Sequence, residues 1–221
     1  MKRGSDKIIE CPKCGALAKH FTQISGNTFG AILWTDGKFE ACMLRRLPLI
    51  TKCYTCHGYY WLSQAKEIGI VPFWGSQREE NQRPEAWKNA PHIKTPTEDE
   101  YWEALETNVA TDENQRLNLR VAAWQAANDV HRNEQCKKGG EVDTRTCFSV
   151  KAKENLEKLY ESLTSEDAEN RLVKAEAARE LGRFDDAIKL LANDVSEHKA
   201  AYISELARGC VSIVRIVPRL E

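Results

Sequence analysis

Residues 50–61, ITKCYTCHGYYW, carry Cys53 and Cys56 with two residues between them, and the same spacing occurs at Cys11 and Cys14 within IIECPKCGALA, residues 8–18. A Cys-x-x-Cys turn presents two thiolates to one ion at about 2.3 Å from each sulfur, and Zn²⁺ takes four such ligands at tetrahedral corners. Two turns complete a site. Gly15 follows the first pair and Gly58 lies just past the second, where a tight turn calls for residues without steric penalty; Pro12 stiffens the first turn. The expected ligands are Cys11, Cys14, Cys53 and Cys56, holding one structural Zn²⁺ ion. Two rival readings exist. Four buried thiols give no reason for two identical pairs, and a thioredoxin-like redox pair needs a βαβ context that neither pair has.

Four thiolates leave the ion no open position, and a closed site holds structure without activating water. The metal then replaces the core that a segment of some 60 residues hardly builds alone. His57 is expected to be a surface group or one that packs outside the ligands, with substitution for a cysteine or action on a metal-bound water as the alternatives. Cys42, Cys136, Cys147 and Cys210 are unpaired in sequence and read as small core residues or free thiols. Cys210 shares a helical stripe with Leu206 and Val214 and is expected to be buried.

The 38 residues between the pairs, 15–52, exceed the roughly 15 to 20 of the familiar double-pair pattern. Two β-rich runs, Thr28 to Thr35 and Phe39 to Leu44, flank Asp36-Gly37, a dipeptide that favours hairpin turns, so an inserted hairpin accounts for the excess. After Cys56, YYWLSQAKEIGI reads as a strand end passing into a short helix. CPKCG and CYTCHG resemble the paired knuckles of the zinc ribbon group. The resemblance covers roughly Ile8 to Trp61 and implies the same four ligands. The long insert and His57, where many such knuckles have glycine, depart from that pattern.

Residues 71–97 contain Pro72, Pro84, Pro91 and Pro96 in a polar setting, which predicts irregular structure, with Phe73, Trp74 and Trp87 packing on a neighbour. From Thr97 the pattern is helical. TEDEYWEALE opens with Thr followed by acids, a favourable helix start. Leu117, Val121, Trp124 and Asn128 form one stripe over 112–134, and Gly139-Gly140 breaks the pattern. Leu156, Leu159, Tyr160 and Leu163 mark another helix, and Thr164 or Ser165 is expected to cap the next. Glu197 to Val217 reads as helical, with CVSIVRIV equally readable as a strand. The expected fold class is α+β: a β-rich ribbon over 1–70, a Pro-rich linker over 71–96 and an all-α domain over 97–221.

RLVKAEAARELGRFDDAIKLLAND, residues 171–194, resembles one tetratricopeptide-repeat hairpin through Ala178, the Gly182-x-Phe184 turn, Asp185, Ala187 and Ile188. That hairpin, at about 166–194, implies a protein-interaction module, and the alternative reading of the domain is an ordinary helical bundle. The combination of amino-terminal ribbon, WLSQAKEIG segment and helical hairpin also resembles a family of uncharacterised bacterial proteins, which implies no particular activity.

Residues 1–75 hold ten lysines and arginines against five acids, and the remainder 22 against 28, so the net charge of −1 conceals a basic front and an acidic rear. No run approaches the roughly 20 apolar residues of a membrane span, and MKRGSDKIIE lacks the apolar core of a secretory signal, which predicts a cytoplasmic protein. SGNTFG, residues 25–30, lacks the lysine and hydroxyl residue of a phosphate loop, and no nucleophile elbow or His-Glu-x-x-His is present, so no enzyme is expected. The leading expectation is a zinc-binding, non-enzymatic interaction module or scaffold with an unidentified protein partner. The alternative is a nucleic-acid-binding ribbon in which Lys38, Arg45, Arg46 and Lys52 meet phosphates and Trp34, Phe39 and Tyr54 stack on bases.

Overall fold

The structure, a computed structural model, describes residues 2–44, 46–74, 83–138, 148–194 and 197–219, with the side chains of 136–138 left out. Arg45, residues 75–82 of the expected linker, Gly139-Gly140 and Cys147 lie outside the described residues, as does the side chain of Cys136. The fold is α+β, with small antiparallel sheets toward the amino terminus and helices filling the carboxy-terminal half. Two compact units divide the chain: Met1–Ala31 with Glu40–Thr111, and Ile32–Phe39 with Asp112–Glu221. The tip of the inserted hairpin thus belongs with the helical unit, and the helices before residue 107 belong with the β-rich one.

In the first unit, β1 (Lys2–Arg3) pairs with β4 (Gln23–Ser25), and β2 (Asp6–Glu10) runs between β3 (Leu17–His20) and β9 (Lys66–Val71), antiparallel to both. β7 (Ile50–Lys52) and β8 (Tyr59–Trp61) form a separate hairpin. The helix expected within YYWLSQAKEIGI shrinks to a single tight turn, Leu62–Gln64, and the residues after it form β9. Ile68, Ile70 and Val71 suit a pleated strand better than a helix, and pairing with β2 decides the matter. Gly69 sits under the ring of Trp87; a Cβ there would stand 2.0 Å from the Trp87 Cη2 atom.

The described later part of the proline-rich stretch, residues 83–97, is more ordered than expected. It contains the short helix α1 (Glu85–Asn89), and its later residues run along β3. The Lys19 amide donates to the Pro91 carbonyl at 2.7 Å, and Ile93 donates back to Lys19 at 3.0 Å. Trp87 packs as expected, Phe73 lies 4.9 Å from the Arg3 guanidinium carbon, and Trp74 remains exposed. α2 (Glu98–Glu106) starts at Thr97 with a full capping box: the Thr97 hydroxyl accepts from the Glu100 amide and the Glu100 carboxylate from the Thr97 amide. The core of this unit gathers Ile9, Ala18 and Tyr60 around Cys11 and Cys53.

In the second unit, the helix expected over 112–134 divides at Asn128 into α3 (Glu113–Ala127) and α4 (Asp129–Lys138). It is followed by α5 (Val150–Ser162), α6 (Ala168–Glu180), α7 (Phe184–Leu190) and α8 (His198–Arg208). Asp167, rather than Thr164 or Ser165, caps α6 by accepting from the Asn170 amide at 2.9 Å. Arg171 takes the Ser165 and Glu166 carbonyls, and the cap falls two residues after Ser165 and three after Thr164. Gly182 carries the reversal into α7 with φ of 77°, and Arg183 donates back to the Ala178 carbonyl at 2.8 Å. Small Ala175, Ala178, Ala187 and Ala200, all wholly buried, let α6, α7 and α8 approach closely.

β5 (Ile32–Leu33) and β6 (Phe39–Glu40) form the inserted hairpin about Gly37, whose φ is 82°. It is shorter than the sequence suggests, because residues 42 and 43 turn. α8 stops at Arg208, and the chain beyond it is extended: Thr35 donates to the Arg215 carbonyl at 2.8 Å and Val217 to that of Leu33 at 2.8 Å. CVSIVRIV is therefore not helical, and it forms a single antiparallel bridge, Ile216 with Trp34, rather than a full strand. Cys210, expected to be buried on a helical stripe, is exposed because the helix ends before it and its own φ is 53°.

Candidate metal centre

Each cysteine pair occupies the turn of a hairpin, Cys11 and Cys14 between β2 and β3, Cys53 and Cys56 between β7 and β8. The two turns have the same backbone. Cys11 donates its amide to Ala16 and accepts from Gly15; Cys53 donates to Gly58 and accepts from His57, all at 2.9 to 3.0 Å. The positive φ that such a turn needs falls on Gly15 and on His57, not on Gly58. A Cβ at Gly58 would lie 2.9 Å from Cδ of the exposed Lys13, a side chain free to shift, so glycine is not demanded at this position.

The four Sγ atoms lie within 4.8 Å of one another, with Cys11 to Cys56 at 3.9 Å and Cys14 to Cys53 at 3.6 Å. Sulfurs at tetrahedral corners about 2.3 Å from one ion stand about 3.8 Å apart, so the donor set fits a tetrahedral thiolate site. Cys11 and Cys53 are buried and Cys14 and Cys56 face solvent. All four expected ligands are brought together, and they can hold a metal ion; soft thiolates select for zinc and similar ions.

Burial pushes the Cys11 thiol up to about 12. Cys53 is buried too, but the amides of Cys56 and Thr55 outweigh this and bring it down to about 7. The Thr55 amide points at Cys53 Sγ at 3.4 Å, a contact that favours the thiolate. Tyr60, beneath the site, is raised by burial and by the nearby cysteine sulfurs, so it stays a neutral phenol.

The surroundings brace the second knuckle. Tyr59 donates to Glu103 Oε2 at 2.6 Å and Lys52 Nζ to the same oxygen at 2.8 Å, tying α2 to the β7–β8 hairpin. Burial and Glu103 together raise Tyr59 to about 12. Lys52 is therefore engaged with an acid, and Tyr54 donates its hydroxyl to the His92 carbonyl at 3.1 Å. Trp34, a proposed base-stacking residue, is wholly buried, and Lys38 is paired with Asp129. The burial of Trp34 leaves no ring face for a base to stack on.

The sequence reading missed a second constellation, in the helical unit. Arg179 binds Glu176 at 2.6 and 2.8 Å and donates to the Val211 carbonyl; Arg132 binds Asp36; Trp124 Nε1 and Asn128 Nδ2 donate to Glu180 at 2.7 and 3.0 Å. All of these side chains are buried. The signal available in the sequence was acids and arginines at α6 positions 176, 179 and 180, interleaved with core alanines. Ordinary surface helices carry the same residue types, so the signal is weak.

No protein-family model matches the chain, and neither the curated proteins nor the solved structures give a match to it. Among the described residues, no helix is long and apolar enough to cross a membrane.

Proposed function

We propose that this is a zinc-binding, non-enzymatic interaction protein, in which one ion at Cys11, Cys14, Cys53 and Cys56 organises the β-rich unit and the helical unit receives a protein partner. The observation that carries the metal half is the convergence of the four Sγ atoms at spacings suited to a tetrahedral ion. A saturated thiolate set offers no site for water activation, which supports a structural role. Metal analysis of purified protein should give one zinc per chain, and cobalt substitution should give the absorption of a tetrahedral thiolate site. Protein that folds fully with no metal retained ends this reading.

The partner half is supported by an open cleft of about 620 Å³ at the α6–α7 elbow, where Arg183, Lys189 and Arg208 alternate with Asp185 and Asp186 around Phe184 and Ile188. Mixed charge around an aromatic suits a peptide better than a uniformly anionic ligand. A partner recovered with the full chain should be lost on Arg183→Glu or Phe184→Ala with the fold intact. Retention by both variants removes the cleft from the proposal.

A further inference from the structure

We propose that metal at the four cysteines is thermodynamically linked to the stability of the helical unit, with residues 32–39 as the link. The inference rests on the reading that those cysteines hold an ion.

Residues 32–39 lie in the interval between Cys14 and Cys53, so an ion bound by both pairs closes a loop that contains them. In space they are a structural part of the helical unit. Trp34 is wholly buried there, its ring 5.4 Å from the Arg132 guanidinium carbon. Asp36 is buried against Arg132 and accepts from Asn128 Nδ2 at 3.0 Å. The backbone of Leu33 and Thr35 pairs with the extended chain at Arg215 and Val217. Without this segment the helices lose a strand partner, an indole and the carboxylate that answers Arg132.

The segment is joined to the rest of that unit through residues 40–111, which belong to the metal-bearing unit. Two members of that unit's small core, Cys11 and Cys53, are themselves ligands. Removing the ion deprives this core of its cross-link. Residues 40–111 then become a long flexible connection, and fixing 32–39 onto the helices costs the closure entropy of that connection. With the ion in place, most of the connection is already ordered. Anything that binds only the folded form stabilises it, and the effect is reciprocal: weakening the docking of 32–39 weakens metal binding by the same factor.

The test is amide hydrogen exchange on the full chain, with zinc and with a chelator, reading protection in α6, together with metal analysis of each sample. Chelation should speed α6 exchange roughly tenfold or more. Asp36→Asn, and the milder Thr35→Val in case the first does not fold, should lower zinc affinity several-fold against a competing chelator. One zinc per chain with α6 exchange unchanged by chelation overturns the linkage while leaving the metal site standing. Unchanged zinc affinity in a folded docking variant does the same. A wild-type chain that takes up no zinc overturns the metal reading and the linkage with it.

Discussion

Gly15 and His57 hold the same place in the two knuckles: each stands four residues after the first cysteine of its pair, with φ of 72° and 56°, and each donates its amide to that cysteine's carbonyl. A left-handed backbone suits glycine and costs a residue with a Cβ about 1–2 kcal/mol. Of the two knuckles, the second accepts that cost, at His57.

Gly15→Ala should therefore destabilise the zinc-loaded protein by about 1 kcal/mol, whereas His57→Gly should be neutral or slightly stabilising, since relieved strain offsets the added freedom of the unfolded chain. Chemical denaturation measures both. The His57 variant also decides that residue's role. Zinc content unchanged in His57→Gly shows that the imidazole is no ligand; loss of zinc would make it one.

The metal site should be proton-linked. Cys53 is lowered to about 7, Cys11 raised to about 12 and Cys14 raised above the ordinary thiol value, so at neutral pH binding must expel the Cys11 and Cys14 protons and part of the Cys53 proton. Apparent zinc affinity should rise with pH across the neutral range. Calorimetric titration in buffers of different ionisation enthalpy should show proton release. Cys11→Ser and Cys53→Ser should lose zinc outright. Affinity independent of pH would contradict thiolate ligation.

How much of this was legible in the sequence depended on the range of the interaction. The four-cysteine cluster was readable because a Cys-x-x-Cys turn is a local device repeated twice, and the α6–α7 reversal was readable because Gly182 marks it. Local signals failed where pairing across the chain decided the outcome. KEIGIV reads as a short helix until β2 is beside it, and nothing within residues 32–39 says that Trp34 and Asp36 belong with helices more than 70 residues away. The buried network was opaque for a similar reason: Glu176 and Arg179 look like a solvent-facing pair three residues apart, and only tertiary packing encloses them.

Gly69→Ala tests one of these long-range contacts. A new Cβ would meet the Trp87 ring at 2.0 to 2.6 Å, so the indole has to leave its place over β9. The expected cost is about 1–3 kcal/mol, the range for forcing extra volume into a packed site. Trp87→Ala should remove the penalty of Gly69→Ala, so the double variant should be no less stable than Trp87→Ala alone. Additive losses would show that Trp87 does not lie there.

The buried network makes the sharpest claim about charge. Asp36, Glu176 and Glu180 share their enclosure with only two guanidinium groups, Arg132 and Arg179. Glu176 is held below the usual range because Arg179, bound to both its oxygens, overcomes the effect of burial. Burial raises Asp36, with Arg132 opposing, and raises Glu180 furthest, with Glu176 adding to the rise. Glu180 is therefore the acid whose neutral form the enclosure favours most. Because the folded Glu180 value lies above the unfolded one, its stabilisation is complete at acid pH below the ordinary glutamate range and is lost as pH rises through the raised value. Glu176 acts oppositely, losing its contribution as pH falls through its depressed value. Glu180→Gln keeps a neutral acceptor for Trp124 Nε1, so it should leave stability at neutral pH equal or higher and flatten the decline toward alkaline pH. Glu176→Gln strands Arg179 and should cost about 3–5 kcal/mol. Denaturation midpoints across pH for both variants check this, and a Glu180→Gln loss as large as that of Glu176→Gln would mean that Glu180 is ionised in the folded protein.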